Sequence, residues 1–211
     1  MPAIVHKQAS VSPFPPERLG DSELVEAVAR GDTAAVGVAW DRYSHVIRSV
    51  LRSNLGADAA IEDLLQEVFI AFLRGAGDLR DPSALRSYLV SVAVRLVLVE
   101  LRRRRVRRWV MLSPKGEVPE IASRPADLDG TRALRALHRL LEALPARRRV
   151  AFVMRQVHGL EVAEVAVALD VSESTVKREV ARARRAIVTR AKRSEPSLWE
   201  YIRDIPEQSH D

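Results

Sequence analysis

One stretch near the carboxyl-terminal end of the sequence constrains the fold more than any other. Residues 144–185 read LPARRRVAFVMRQVHGLEVAEVAVALDVSESTVKREVARARR. Apolar residues recur there at helical spacing in two runs, and a short polar connection separates the runs. The first run comprises Val162, Val165, Ala166 and Leu169, and the second comprises Val176, Val180, Ala183 and Ile187. Two short amphipathic helices joined in this way predict a helix-turn-helix.

The connection between these two predicted helices carries turn chemistry. Asp170 stands where the backbone needs a left-handed residue, which aspartate tolerates better than most residues other than glycine. Ser172 is a predicted N-cap, because its hydroxyl can accept a hydrogen bond from an unpaired amide of the next helical turn. Glu173 follows it and suits the positive end of the helix dipole.

The second helix of the pair has a face of hydroxyl and cationic side chains, which suits a helix that enters the major groove of DNA. The alternative is a structural helix pair in a bundle, with a solvated basic face. Glu179 is an acid among these bases and is interpreted either as a reader of cytosine or as a plain surface residue. The predicted DNA-binding residues of this helix are Ser172, Ser174, Thr175, Lys177, Arg178, Arg182 and Arg185.

Composition narrows the class of protein. The chain has 211 residues, a formal net charge of +6 and no cysteine. The charge suits a polyanionic partner, either nucleic acid or an anionic membrane surface. The lack of cysteine excludes disulfides and thiolate metal sites and fits a reducing compartment. We find no glycine-rich phosphate loop, histidine cluster or nucleophile–base pair, so we expect no catalytic residue, no metal, no cofactor and no enzyme activity.

The sequence also bears on location. The amino-terminal residues lack the basic region followed by an apolar run that marks a signal peptide. The longest apolar stretch, residues 88–99, is too short to span a bilayer. We therefore expect a cytoplasmic protein without membrane insertion.

The pattern of breaks predicts an all-α fold of two small helical domains joined by a flexible linker, the second domain containing the helix-turn-helix. Abundant alanine, leucine, arginine and glutamate favour helices, and prolines with acidic residues mark the linker. The predicted divisions are a disordered arm at 1–20, a first domain at 21–109, a linker at 110–130, a second domain at 131–193 and a tail at 194–211.

Two surfaces of the first domain invite a functional interpretation. Asp63, Gln66 and Glu67 share one face of a predicted helix, either as a solvated acidic face or as a docking surface for a basic partner. Acid–base chemistry there lacks a nucleophile, a histidine or a metal ligand. Six arginines between residues 102 and 108 end a long predicted helix. They form either a solvated basic end or a phosphate-binding surface that releases counterions.

Residues 63–69, DLLQEVF, resemble the D-L-x-Q-E-x-F segment of bacterial RNA polymerase sigma factors of the sigma-70 family, extracytoplasmic-function (ECF) type. In that family the segment docks on the coiled coil of the polymerase β′ subunit. The resemblance implies that the following residues bind core polymerase: Asp63, Leu64, Gln66, Glu67 and Phe69.

Residues 144–177 resemble the family's fourth domain, whose recognition helix reads the upstream (minus-thirty-five) promoter element. The resemblance further implies that the helix ending in the arginine run holds the downstream (minus-ten) element. Its implied DNA-binding residues are Tyr88, Arg95, Arg102, Arg103, Arg104 and Arg105. Several positions depart from the family's usual residues, notably Tyr88, Arg95, Val99, Asp170 and Glu179.

The resemblance implies a sigma factor whose partners are core RNA polymerase, through its β′ and β subunits, promoter DNA and an anti-sigma factor. Two alternatives stay open on the sequence. One is a helix-turn-helix transcriptional regulator that does not melt promoters, which the unusual Arg95 and Val99 would suit. The other is a sigma-like interaction protein that sequesters a regulator without touching DNA.

Overall fold

Polar turns and glycines end the helices where the sequence breaks its apolar periodicity. The computed structural model describes residues 19–111 and 128–194, so the predicted arm up to residue 18, residues 112–127 of the predicted linker and the tail from residue 195 lie outside it. The described ranges contain helices and no strand, which confirms the all-α prediction. The helices are α1 (Asp21–Ala29), α2 (Thr33–Leu55), α3 (Ala60–Gly75), α4 (Leu85–Met111), α5 (Leu128–Glu142), α6 (Ala146–Gln156), α7 (Val162–Leu169) and α8 (Glu173–Ser194).

The chain forms two compact units. Unit 1 comprises Met1–Arg52 and Asp58–Leu96, and unit 2 comprises Ser53–Ala57 and Val97–Asp211. Helix α4 is continuous through the change of unit, and α4 and α5 both extend a few residues into the range predicted as linker. The two helical units agree with the predicted fold class, whereas the predicted domain limits at residues 109 and 131 stay predictions.

Unit 1 is organised around a core of fully buried leucine and phenylalanine side chains. Leu24, Leu65, Phe72 and Leu89 come from α1, α3 and α4 and are inaccessible to solvent.

The carbonyl of Leu19 accepts a hydrogen bond of 2.6 Å from Arg42 of α2. The end of the predicted disordered arm is therefore held against the helices.

Unit 2 contains the helix-turn-helix, formed by α7 and α8. A cluster of buried apolar residues joins α5, α6 and α8 beneath it: Ala136, Leu140, Leu141, Leu144, Val153, Ala183, Ile187 and Ala191. Asp170 has φ 53° and ψ 57°, so the predicted left-handed turn is confirmed. The Ser172 hydroxyl accepts a hydrogen bond of 3.3 Å from the Thr175 amide, which confirms the predicted N-cap. The start of α8 is thus fixed by its own side chains.

None of the helices in the described ranges combines the length and the apolar character that crossing a membrane requires.

Candidate protein and nucleic-acid interfaces

Helix α3 presents one exposed face that is acidic at its start and apolar at its end. Asp63, Gln66 and Glu67 are exposed, as the sequence predicted for one helical face. Within the described part of the chain, neither Asp63 nor Glu67 forms an ion pair, so both carboxylates can accept contacts from a partner. The same face continues to Ile70 and Leu73, each of which is 43% exposed.

These two apolar residues were missed by the sequence analysis. The predicted polymerase-binding residues include neither Ile70 nor Leu73. The available signal was spacing, because Ile70 follows Gln66 by four residues and Glu67 by three. An exposed isoleucine and leucine beside two carboxylates are typical of a protein-binding surface.

The other two residues of the predicted polymerase-binding set lie deeper. Phe69 is only 4% exposed, and its ring packs on Trp40 of α2 at a centroid distance of 4.8 Å. Leu64 is half-buried. The burial of Phe69 argues against direct contact with a partner. Its aromatic ring instead anchors α3 to α2.

An ion pair fixes the acidic end of α3. Arg48 of α2 donates two hydrogen bonds, of 2.8 and 2.9 Å, to the carboxylate of Glu62. The hydrogen bond from Arg48 is the largest influence on this carboxyl group and holds the pKa of Glu62 below its ordinary value. Glu62 is therefore committed to the α2–α3 contact, and the neighbouring Asp63 and Glu67 supply the accessible negative charge.

The start of α4 packs on the end of α3. The Tyr88 hydroxyl donates to the Ala71 carbonyl at 3.3 Å, and its ring lies 6.4 Å from that of Phe72. A Cβ atom on Gly75 would come within 2.8 Å of the same hydroxyl. Tyr88 is half-buried and structurally engaged, whereas Arg95, further along α4, is exposed.

The arginine run at the end of α4 is not uniform. Glu100 is nearly buried, and its carboxylate accepts hydrogen bonds from Arg104 at 3.0 Å and from Arg107 at 2.8 Å. Arg104 also donates to the carbonyl of Leu55 at 2.8 Å, and its side chain is 19% exposed. Its engagement with protein groups argues against a phosphate contact by Arg104. The predicted residues that remain exposed here are Arg102, Arg103 and Arg105.

The sequence analysis did not consider Glu100, although its spacing of four and seven residues from two arginines was visible. The carboxylate splits the basic run into arginines that it binds and arginines that face solvent. Arg103 belongs to the second group, since its side chain is 71% exposed and its guanidinium lies no closer than 4.0 Å to Glu100.

The start of α8 carries a cluster of three hydroxyl groups. The Ser172 Oγ atom lies 3.0 Å from that of Ser174 and 2.9 Å from the Thr175 Oγ1 atom. Arg178 donates to the same threonine oxygen at 3.3 Å. Ser172 and Ser174 are exposed and Thr175 is half-buried, so the first turn offers polar groups at the helix surface.

The rest of α8 separates an apolar side from a cationic one. Val176, Ala183 and Ile187 are buried. Lys177, Arg178, Arg182 and Arg185 are exposed, as the sequence predicted. A helix of this kind can make phosphate contacts with its cations and base contacts with its polar first turn.

Glu179 interrupts the cationic side. Its carboxylate accepts hydrogen bonds of 2.9 Å from Arg148 of α6 and 3.2 Å from Arg182. Burial alone would raise the pKa of this carboxyl group. The hydrogen bonds and charges of the two arginines outweigh burial and hold the pKa of Glu179 below its ordinary value.

Among residues 19–111 and 128–194, no three histidine, cysteine, aspartate or glutamate side chains are grouped so that they could hold a metal ion.

Comparison with known proteins decides the family. The family model for sigma-70 region 2 matches residues 39–107, and the model for sigma-70 region 4 matches residues 134–187. The ECF RNA polymerase sigma-E factor of Escherichia coli K12 is 33% identical over 181 residues, which are 81% of this chain and 94% of that protein. The chain belongs to the ECF group of the sigma-70 family.

A second curated relative of this sigma factor agrees with that placement. The ECF RNA polymerase sigma factor SigM of Mycobacterium tuberculosis is 31% identical over 164 residues, which are 78% of this chain and 81% of that protein. As a sigma factor, the chain binds core RNA polymerase and directs promoter-specific initiation of transcription. Its family consists of initiation factors and not of enzymes in the usual sense.

Solved structures share the fold of this sigma factor. CnrH in complex with the cytosolic domain of CnrY has a TM-score of 0.60 and 20% identity, and covers 82% of this chain and 97% of that one. RpoE of Bartonella quintana, in complex with the anti-sigma factor NepR, has a TM-score of 0.57 and 21% identity, and covers 74% and 96%. The match to region 2 as well as region 4 does not favour a regulator that keeps the helix-turn-helix alone.

Proposed function

We propose that three surfaces divide the work of this sigma factor. The exposed face of α3 binds core polymerase, α8 reads the upstream promoter element, and the exposed arginines of α4 hold DNA at the downstream element. The residues assigned to polymerase are Asp63, Gln66, Glu67, Ile70 and Leu73. Those assigned to the upstream element are Ser172, Ser174, Thr175, Lys177, Arg178, Arg182 and Arg185, and those assigned to the downstream element are Arg95, Arg102, Arg103 and Arg105.

The exposed face of α3 carries this proposal. Two carboxylates without ion pairs in the described ranges lie beside two large apolar side chains, while the opposite side of the helix packs into unit 1. Burying Ile70 and Leu73 against a partner would gain free energy in proportion to the apolar area removed from water, at about 25 cal/mol per Å². The carboxylates favour a basic partner surface, because like charges there would repel.

The assignment of α8 to the upstream element uses the helix surface. Lys177 and Arg178 are exposed next to the first turn, where a major-groove helix makes its base contacts. Arg185, two turns further along, is placed for a phosphate contact that fixes the orientation of the helix.

The assignment of α4 to the downstream element uses exposed guanidinium groups. Arg102, Arg103 and Arg105 can bind phosphates and release counterions. We exclude Arg104, because it is held by Glu100 and by the Leu55 carbonyl. Tyr88 is assigned to the contact between α3 and α4.

This proposal gives the chain no covalent chemistry and no enzyme activity. Its own residues bind and position, and phosphodiester synthesis belongs to the polymerase. We further propose that the protein works in the cytoplasm, where its polymerase partner is found, and that an anti-sigma factor regulates it. The last point is suggested by the complex of RpoE with NepR.

The proposal is tested by co-elution of the full-length chain with cognate core RNA polymerase in size-exclusion chromatography. Glu67→Lys reverses a charge on the α3 face and is expected to abolish co-elution. Asp41→Lys is the matched control, since Asp41 is an exposed acid of unit 1 on α2. The control variant should co-elute like the natural chain.

Two results would contradict the assignment of α3. The first is an unaltered elution profile for Glu67→Lys, and the second is an equal loss of co-elution in both variants. Permanganate footprinting of the assembled holoenzyme on promoter DNA then tests strand separation, and holoenzyme that leaves all thymines protected would contradict the downstream assignment.

A further inference from the structure

Glu179 lies on the same side of α8 as the residues assigned to the upstream element. It follows Thr175 by four residues and precedes Arg182 by three, which is the spacing of one helical face. Its side chain is nevertheless only 16% exposed. An acid in this place is unexpected on a helix that approaches phosphates.

The contacts of Glu179 explain its low exposure. Its Oε2 atom accepts from the Nε atom of Arg148 at 2.9 Å, and its Oε1 atom accepts from the Nη1 atom of Arg182 at 3.2 Å. Each carboxylate oxygen therefore serves one guanidinium. Arg148 comes from α6 and is 25% exposed, so the carboxylate joins α6 to the surface of α8.

The two arginines also give the carboxyl group a lowered pKa, so Glu179 is ionised at neutral pH. A negative charge held between two positive charges leaves the group of three with a net charge of +1. Arg182 is 48% exposed, so its guanidinium reaches solvent while part of its charge is balanced by Glu179.

We propose that Glu179 is a positioning residue of the upstream-element interface, which binds the guanidinium groups of Arg148 and Arg182 and withholds their charge from the phosphates of non-target DNA. This inference rests on the proposed assignment of α8 to DNA. Binding of arbitrary sequences comes from phosphate contacts alone, whereas binding of the correct element adds base contacts. Lowering the charge of this arginine pair from +2 to +1 therefore lowers non-specific affinity more than specific affinity.

Direct reading of cytosine by Glu179 makes a different prediction. A base reader needs an oxygen free to accept from the cytosine amino group. Each oxygen of Glu179 already accepts from an arginine, and the side chain is only 16% exposed, so little of the carboxylate is accessible to a base. The geometry favours the positioning role.

The experiment measures binding of the full-length chain to a duplex of random sequence, by fluorescence anisotropy over a series of salt concentrations. Glu179→Gln removes the charge and keeps the shape of the side chain. Freeing one or two guanidinium groups is expected to steepen the slope of log K against log salt by about 0.9 for each new phosphate contact. Affinity at low salt should rise by about 3- to 10-fold.

Two further variants isolate the cause. Glu142→Gln makes the same change of charge at an exposed glutamate of α5 and controls for net charge. It is expected to change the slope by less than half as much. Adding Arg182→Gln to Glu179→Gln should return the slope towards that of the natural chain. A merely structural role for Glu179 would lower affinity in Glu179→Gln and would not steepen the slope.

Two variants that keep Glu179 test the same inference if Glu179→Gln misfolds. Arg178→Gln removes an exposed cation that donates to the Thr175 hydroxyl at 3.3 Å, and should flatten the slope by about 0.9. Arg182→Gln should flatten the slope by less than half of that, because Glu179 already balances its charge.

Three results would overturn the inference: an unchanged slope for Glu179→Gln, an equal effect of Glu142→Gln, or equal effects of Arg178→Gln and Arg182→Gln. A changed preference at a single base pair, found by selection from a randomised duplex library with an unchanged slope, would establish base reading. The surface proposed to bind core polymerase lies on α3 and does not include Glu179, so co-elution tests the proposed function separately. Failure of the proposed function and failure of this inference are therefore separate observations.

Discussion

At the scale of single residues, the arginines of α4 differ more than their shared identity suggests. Arg104 is bound by Glu100 and by the Leu55 carbonyl, while Arg102 is exposed. The two side chains have the same charge and lie two positions apart. Only their surroundings differ: Arg104 stabilises the helix through its protein contacts, and Arg102 is free to meet a partner from solvent.

Substitution of Arg102 should therefore change DNA binding, whereas substitution of Arg104 should change stability. Arg102→Gln should flatten the salt dependence of promoter binding by about 0.7 to 0.9 and leave stability unchanged, because it loses one phosphate contact. Arg104→Gln should lower the free energy of unfolding by about 1 to 3 kcal/mol, because the Glu100 carboxylate loses a partner. Holoenzyme binding at several salt concentrations and urea unfolding of the free chain measure the two effects. Equal salt slopes for the two variants would contradict the division of the run.

Asp170 carries a second prediction at this scale. Its positive φ costs an aspartate more than a glycine, so Asp170→Gly should raise the free energy of unfolding by up to about 1 kcal/mol. Ala181→Gly, at an exposed position inside α8, should instead lower it by about 1 kcal/mol. Urea unfolding compares them, and destabilisation by both glycines would show that the Asp170 side chain stabilises the turn.

At the scale of elements, the packing of α4 on α3 depends on a glycine. A methyl group on Gly75 would meet the Tyr88 hydroxyl at 2.8 Å and displace it from the Ala71 carbonyl. We expect Gly75→Ala to destabilise the natural chain by about 1 kcal/mol or more. The Tyr88→Phe variant lacks the obstructing oxygen.

In the Tyr88→Phe background, Gly75→Ala should therefore become neutral or stabilising by up to about 1 kcal/mol, because alanine has the better helix propensity. A double-mutant cycle of unfolding free energies measures this reversal of sign. Additive effects of the two substitutions would mean that the hydroxyl moves aside without cost.

The contact between α6 and α8 predicts a pH dependence through Glu179. Its pKa is lower in the folded chain than in the unfolded chain, because Arg148 and Arg182 favour the charged form. The stabilisation is thus fully present above the ordinary glutamate pKa of about 4.3 and is lost as the pH falls through the lower folded value. The gap in melting temperature between the natural chain and Glu179→Gln should shrink over that acidic range. A gap that stays constant between neutral and acidic pH would contradict a charged partner for the two arginines.

At the scale of the whole molecule, the polymerase-binding and upstream-element surfaces belong to different units. The α3 face lies in unit 1 and α8 in unit 2. Substitutions at sites that share no partner usually act independently. Substitutions should therefore abolish polymerase binding without loss of DNA binding, and the reverse.

The joint substitution Lys177→Gln/Arg178→Gln should leave co-elution with core polymerase intact and weaken binding to the preferred promoter by at least about tenfold. Glu67→Lys should do the reverse, abolishing co-elution while the free chain keeps its affinity for duplex DNA. Chromatography and anisotropy on the same preparations measure both properties. Loss of both properties in either variant would indicate that the surfaces are coupled.

Much of this organisation could be predicted from local pattern. The helices, the left-handed turn at Asp170 and the cap at Ser172 depend on residues within a few positions of one another, and helical periodicity also separated Asp63 and Glu67 from the buried side of α3. Periodicity could not tell which apolar residues at the edge of a stripe are covered. Phe69 is covered by Trp40, while Leu73 lies in the open.

The amino-acid sequence by itself determined the all-helical architecture, the helix-turn-helix and the resemblance to sigma factors, because these depend on spacing along the chain. Only the tertiary structure decided which charges are available to a partner. Glu179 meets Arg148 across 31 residues, and Arg104 meets the Leu55 carbonyl across 49. Such pairs form where folding brings residues that are far apart in the sequence within hydrogen-bond distance. The local pattern of charges along the chain does not reveal which residues will meet.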